Sequence, residues 1–383
     1  MSKYLKLSYL AVFVLLLGFS GNLQASNGNG HNHDEEDARH SVEEQDSHQN
    51  GEASVNTEED VYDPTPVVMH HIQDGHGFHV AGDFSVALPV ILWTDNGLVT
   101  FMSSEFHHDI TGHHVVEKKG MRFVNLHEDI YQLNKGAENI KMDASHHPVN
   151  ASKPLDFSIT KNVFTLLLAA LILCLIFLTS AKKYKKGNGH KVPKGLASFM
   201  EPLVVFVRDD IAKPNIGKKY ERYMPLLLTM FFLIWTLNLI GLVPFFPGSA
   251  NMSGNIAFTF SLAVITLLVT NFSGNKGYWK HILLPPVPKA LWIIMIPVEI
   301  IGVLTKPFAL MIRLFANITA GHIIVLSLIS LIFIFKTPAM GLVSVPFALF
   351  ISVLELLVAA LQAYIFTMLT ALFIGTAVAE DHH

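Results

Sequence analysis

The sequence predicts an all-α polytopic membrane protein with five crossings and a small β-rich element ahead of them. Three observations predict it. Of the 383 residues, 51% are hydrophobic and only 15% are charged. The apolar mass lies after residue 155, in runs as long as the ~20 residues a bilayer-spanning helix needs. The polar residues before it, 26–150, hold most of the 20 histidines. A net charge of −4 gives nucleic acid no electrostatic footprint, so no nucleic-acid partner is expected. The single cysteine, Cys174, excludes an intrachain disulfide and any multi-cysteine metal site.

Residues 1–25 read as a signal peptide. Lys3 and Lys6 form the basic end, "LAVFVLLLGF" is a short apolar core, and "LQAS" offers a small-residue cleavage site after Ala25. The rival reading is a first transmembrane helix, for which the core is short. Residues 26–60 carry almost no large apolar side chains and read as a disordered acidic tether. His31, His33, His40 and His48 among its carboxylates are a loose chelator at most.

Residues 61–150 read as a small extracytoplasmic β-rich region. "HVAGDFSVALPVILWT", "GLVTFMSS" and "MRFVNLHEDIYQL" mix β-branched and aromatic residues with turn signals such as "TDNG". The doublets His70-His71, His107-His108, His113-His114 and His146-His147 each offer a metal one ligand only, because neighbours on a strand point to opposite faces. No His-Glu-x-x-His pattern supports a zinc protease, and no metal site is assigned.

The membrane domain is expected over 155–379. The first span, 163–179, is followed at once by "KKYKK", which marks the cytoplasmic side by the positive-inside rule. Residues 193–214 mix apolar and charged residues at helical spacing, as an interfacial helix does. Spans over 223–246 and 256–272 follow, joined by an uncharged loop that suits the outer face. Residues 290–335 and 339–379 are each too long for one upright span. They predict a long, strongly tilted helical hairpin with Lys336 in the outer turn and "EDHH" in the cytoplasm.

Within 307–379 the only charged or imidazole side chains are Arg313, His322, Lys336 and Glu355. A guanidinium at mid-membrane costs ~2.5–3.5 kcal/mol on insertion scales and stays protonated. Arg313 therefore serves as a fixed positive charge and not as a proton carrier; the bland alternative, snorkelling to a headgroup, has apolar sequence to cross on either side. Asn317 and Ala320 share its helical face. His322 lies nine positions on, about half a turn away, and its imidazole suits proton relay. On the last helix Glu355, Ala359 and Gln362 share a face, and Glu355 and His322 are candidate partners across the hairpin. Upstream, Glu299 and Lys306 are seven apart on one face nearer the cytoplasm. Asn238 and Asn255 are polar points in the second and third spans.

"TKPFALMIRLFANITAGH", "LELLVAALQAYIFTMLTALFIGTA" and "NLIGLVPFF" resemble subunit a of the F-type ATP synthase, over roughly 155–379. The resemblance implies a proton-channel stator in a bacterial plasma (inner) membrane, with the N-terminal region extracytoplasmic. It implies that Arg313 separates two half-channels and faces the rotor carboxylate, with Gln362 and Asn317 in support. Family members commonly carry an acidic residue after the A-G and a histidine where Glu355 stands; here His322 and Glu355 are exchanged. Glu299 joins these as a candidate for proton translocation. The implied partners are the c-ring, the b-type stalk, the F1 head and membrane lipid. No cofactor is implied, and the chain is not an enzyme by itself. The competing class is a self-contained proton- or metal-coupled secondary transporter, but the inverted repeats of such proteins are not visible.

Overall fold

The structure, a computed structural model, describes residues 73–81, 84–143, 148–186, 195–243, 250–285, 287–288 and 291–379. The expected signal peptide and tether, the doublets His70-His71 and His146-His147, and "EDHH" lie outside the described residues.

Among the described residues, nine strands precede the long helices. β1 (Gly77–Ala81) pairs with β2 (Phe84–Ala87). β3 (Pro89–Thr94), β4 (Gly97–Met102) and β9 (Leu155–Asp156) form a sheet of order β4-β3-β9. β5 (Thr111–Lys118), β6 (Met121–Leu126), β7 (Asp129–Leu133) and β8 (Ala151–Ser152) form another in sequence order. The "TDNG" turn closes β3 on β4, with Thr94 opposite Gly97 and Gly97 at φ 98°. Alternation in β3 and β4 turns Val90, Leu92, Val99 and Phe101 inward, onto Phe106, Phe123 and Ile130. The β region extends to residue 156, past the expected limit at 150. Two-residue strands carry no periodic signal, and only their pairing with β3 and β7 defines them.

The helices follow the hydrophobic runs. They are α1 (Lys161–Lys186), α2 (Leu196–Phe206), α3 (Tyr220–Gly241), α4 (Ile256–Ser273), α5 (Lys276–Leu283), α6 (Trp292–Ile334) and α7 (Pro338–Val378). Among the described residues, five stretches are long and apolar enough to cross a membrane. The expected interfacial helix continues from α2 through a π segment (Val207–Ala212) toward α3, and breaks at Gly217, φ 71°. Val207, Ile211 and Ala212 are buried there, while Arg208, Asp209 and Lys213 keep their ion pairs half-exposed. The second span ends at Gly241, short of the expected 246. Asn255 is not inside a span: it caps α4, its Oδ1 accepting from the amides of Ala257 and Phe258.

α6 and α7 form the hairpin. They have 43 and 41 residues, which at ~1.5 Å per residue is about twice the thickness of a hydrocarbon core. Lys336, φ 48°, sits in the turn between them. Small residues on α7, Ala359, Ala363, Ala371 and Gly375, are buried against the bundle. Gly375 is the tightest point, since a Cβ there would overlap the backbone carbonyl of Asn215.

The β region docks on the start of α1. Phe78 and Leu88 pack with Ala250, and the Phe78 ring meets Phe164 of α1 edge-on at 5.4 Å. Beside them, His76 Nε2 lies 3.3 Å from Asp156 Oδ2, and Nδ1 lies 3.8 Å from Glu128 Oε2. Glu128 is aimed there by a two-residue β6–β7 turn in which His127 and Glu128 both have positive φ, 51° and 69°. Burial disfavours the His76 imidazolium, yet hydrogen bonds and charge from Asp156 and Glu128 outweigh it and raise its pKa to about 9. Burial also acts on Asp156, but His76 and Ser158 hold its carboxyl below the usual range. Asp74 is pushed up by burial.

Two outcomes follow from this packing. Gly375→Ala should cost ~1–3 kcal/mol of stability, as overpacking does. Gly302→Ala, where a Cβ meets nothing within 4 Å, should be neutral or gain a few tenths; thermal melting of the two purified variants compares them. The second outcome concerns pH. The folded pKa of His76, about 9, exceeds the ordinary 6.5, so its stabilisation is complete below pH 6.5 and is lost as pH rises through about 9. Melting temperature should therefore fall across that window, and the fall should flatten in His76→Gln; equal pH profiles for the two proteins would contradict it.

Candidate functional site

Helical phase decides what each polar residue of the hairpin sees. On α6, Met311, Leu314 and Ile318 are buried, while Arg313, Ala316, Asn317 and Ala320 lie on the exposed face. Arg313 has no hydrogen-bond or ion-pair partner among the described residues. The face around it is apolar, with Ile312, Ile323 and Ile324 exposed on α6 and Leu354, Leu357 and Leu361 on α7.

His322 is directed elsewhere. Its Nδ1 lies 2.5 Å from Glu355 Oε1 of α7, and the two side chains are 19% and 6% exposed. Gly321 makes this approach possible, because a Cβ at that position would stand 2.8 Å from Glu355 Oε1. Glu355, Ala359 and Gln362 form the shared stripe the spacing predicted, and all three are buried. Gln362 makes no hydrogen bond with the described residues.

The stripe is also held from α3. Asn238 Nδ2 donates to the carbonyl of Ala359 at 3.3 Å, and Ser253 Oγ donates to Asn238 Oδ1 at 2.5 Å. Asn238 thus does pack by hydrogen bonds, one turn from Glu355. Thr319 Oγ1, one turn before His322, is buried without a hydrogen-bond partner.

Glu299 is half-buried on α6 and forms no ion pair with Lys306. Lys306 instead extends over the Phe373 ring, 5.7 Å from its centroid. There it lines a cleft with Thr266, Thr270, Asn271 and Tyr278. The structure therefore brings His322 and Glu355 together, leaves Arg313 and Asn317 on a separate face, and keeps Glu299 apart from both. The small size of Gly321 already suggested close helix approach in the sequence. Sequence reasoning missed Ser253 as the partner of Asn238, because it sits in a short turn without pattern.

In the β region, His107 Nδ1 and His114 Nε2 are 3.1 Å apart, one from each of two doublets. Among the described residues no group of three or more His, Cys, Asp or Glu side chains is arranged to hold a metal ion.

Comparison with known proteins separates the same two parts. Residues 67–157 match a family described as a domain of unknown function, DUF8433. Residues 163–375 match the ATP synthase A chain family. ATP synthase subunit a of Chloroherpeton thalassium is 50% identical over 265 residues, covering 63% of this chain and 78% of that protein. ATP synthase subunit a 2 of Chlorobaculum tepidum is 52% identical over 235 residues, 60% of this chain and 66% of that protein. The Anaeromyxobacter protein of the first name is 45% identical over 265 residues, 65% and 63%. With more than half of its length matched by the family and half of the aligned residues identical to such relatives, the chain belongs to the ATP synthase A chain family.

Proposed function

We propose that the chain is the proton-channel stator of the membrane sector of a bacterial F-type ATP synthase. The observation that carries this reading is the division of α6 into two faces. A permanent cation, Arg313, stands without a partner among the described residues on an exposed apolar face, and the His322–Glu355 pair is buried on another. A proton carrier cannot be permanently charged, and an electrostatic barrier must be. The arrangement supplies one of each.

In this reading Arg313 faces the carboxylate of a rotating c-ring across the exposed face, with Asn317 beside it. A proton from the extracytoplasmic side reaches the His322–Glu355 pair, which holds one shared proton between Nδ1 and Oε1 and passes it to the rotor carboxylate. Gln362 supports that route from the same stripe. After rotation, the proton leaves by a second half-channel on the Glu299 side. Arg313 keeps the two paths from joining, because a mobile proton is repelled by its charge. The chain has no catalytic chemistry of its own and works with the c-ring, the b-type stalk and the F1 head. It sits in the plasma membrane with the β region outside and the C-terminus in the cytoplasm. No observation favours the self-contained transporter.

Arg313→Ala should abolish ATP-driven proton pumping in inverted vesicles while the complex still assembles. Arg313→Lys should substitute poorly, since a point charge lacks the planar fork. Pumping at the normal rate in Arg313→Ala vesicles would refute the barrier role.

His322 and Glu355 should behave as a unit. Each change to alanine lowers proton flux, the exchange His322→Glu with Glu355→His recovers part of it, and a double-mutant cycle shows coupling beyond additivity. Gly321→Ala, which pushes the Glu355 carboxylate away, should mimic the loss of the pair with little effect on assembly. Full flux in Gly321→Ala would mean the contact is not needed.

A further inference from the structure

The β region is joined to the membrane helices by an unusual run of buried polar atoms. Asn162 Oδ1, Thr165 Oγ1 and Asn251 Nδ2 have no hydrogen-bond partner among the described residues, and their residues are 4%, 0% and 5% exposed. Each buried polar atom left unpaired costs ~1–3 kcal/mol. Three at one junction would be a large deficit for a marginally stable fold, and buried polar atoms of this kind take ordered water.

The elements that carry these atoms touch one another in turn. The amide of Asn162 donates to Asp74 Oδ1 at 3.1 Å, and Lys161 donates its amide to the carbonyl of Gly75. Thr165 lies one turn further along α1. That helix packs on the short turn Met252–Gly254, next to Asn251. Ser253 then reaches Asn238, Asn238 reaches the carbonyl of Ala359, and Ala359 is one turn from Glu355. The upper end is rich in carboxyl groups: Asp74, Glu128 and Asp156 lie around His76 and Lys161.

We propose that the β domain is the mouth of the extracytoplasmic half-channel, and that a water-bearing seam past Asn162, Thr165 and Asn251 delivers protons to Asn238 and the His322–Glu355 pair. The inference rests on the stator reading above and gives residues 67–157 a role in it. Water satisfies the unpaired atoms and, as a hydrogen-bonded file, passes a proton inward while each molecule hands on one of its own. A seam that served only to glue the domain to α1 would gain more from apolar residues, as Phe78, Phe164 and Ala250 show beside it.

The test uses the assembled complex in native membranes, with Cys174→Ser as background. Thr165→Cys and Asn251→Cys change side-chain size little. Silver ion, which binds thiolate from water, should inhibit ATP synthesis and passive proton conductance of F1-stripped membranes by about tenfold or more in both, and leave the background unaffected; tenfold is ~1.4 kcal/mol on the flux. Thr165→Leu should lower passive conductance similarly, while Thr165→Ser keeps it. Arg313→Ala is measured in parallel. Silver-insensitive cysteines, or full conductance in Thr165→Leu, would overturn the seam. If Arg313→Ala still abolishes pumping in that case, the stator reading stands and only the mouth has been misplaced. If Thr165→Leu fails to assemble, the two cysteine variants alone decide.

Discussion

The close approach of α6 and α7 at Gly321 is the constraint on which the site depends. A carboxylate buried in an apolar bundle is costly unless it is paired. Glu355 is 7% exposed and has one side-chain partner, the imidazole of His322. That contact requires the helices to meet at contact distance, which the missing Cβ of Gly321 allows. Behind Glu355, Ala359 leaves its carbonyl open to Asn238, so the third helix is tied to the same point. A larger residue in place of Gly321 would push the acid from its base.

The other face of α6 has the opposite design. Among the described residues it is left uncovered, and its charge has no counterion. Large apolar residues from both helices are exposed around Arg313. In water such a face would aggregate; beside lipid or a second membrane subunit it is covered. In the stator proposed above, that part of the surface meets a partner bearing negative charge, because lipid tails cannot repay the desolvation of the guanidinium. Separation of the two faces follows from 3.6 residues per turn and needs no motion of the helix.

At the far end, the β domain is attached by two kinds of contact side by side. The Phe78–Phe164 edge contact with Ala250 is dry and apolar. The Asp74, His76, Glu128 and Asp156 group is polar and buried, and its strongest element is the imidazolium held by two carboxylates. Apolar contact holds the domain in place whatever the pH, whereas the ionic group responds to it. The domain is therefore anchored by one set and tuned by the other.

The sequence alone determined much of this protein, for local reasons. Runs of apolar residues set five long helices, and the "TDNG" turn set one hairpin. Helical phase put Arg313 and His322 on different faces, and Glu355 with Gln362 on one stripe, because a period of 3.6 is carried by neighbours in the chain. The two-residue strands β8 and β9 were not legible, since their identity lies in partners far away. Asn255 looked like a membrane polar point and is a helix cap, a difference that backbone geometry decides. Tertiary structure alone decided that His322 meets Glu355 33 positions away, that Asn238 reaches Ala359 at 121, and that His76 meets Asp156 at 80. Such contacts depend on how helices and sheets dock. The energy that docks them is shared among dozens of apolar side chains, none of which names its partner in the sequence.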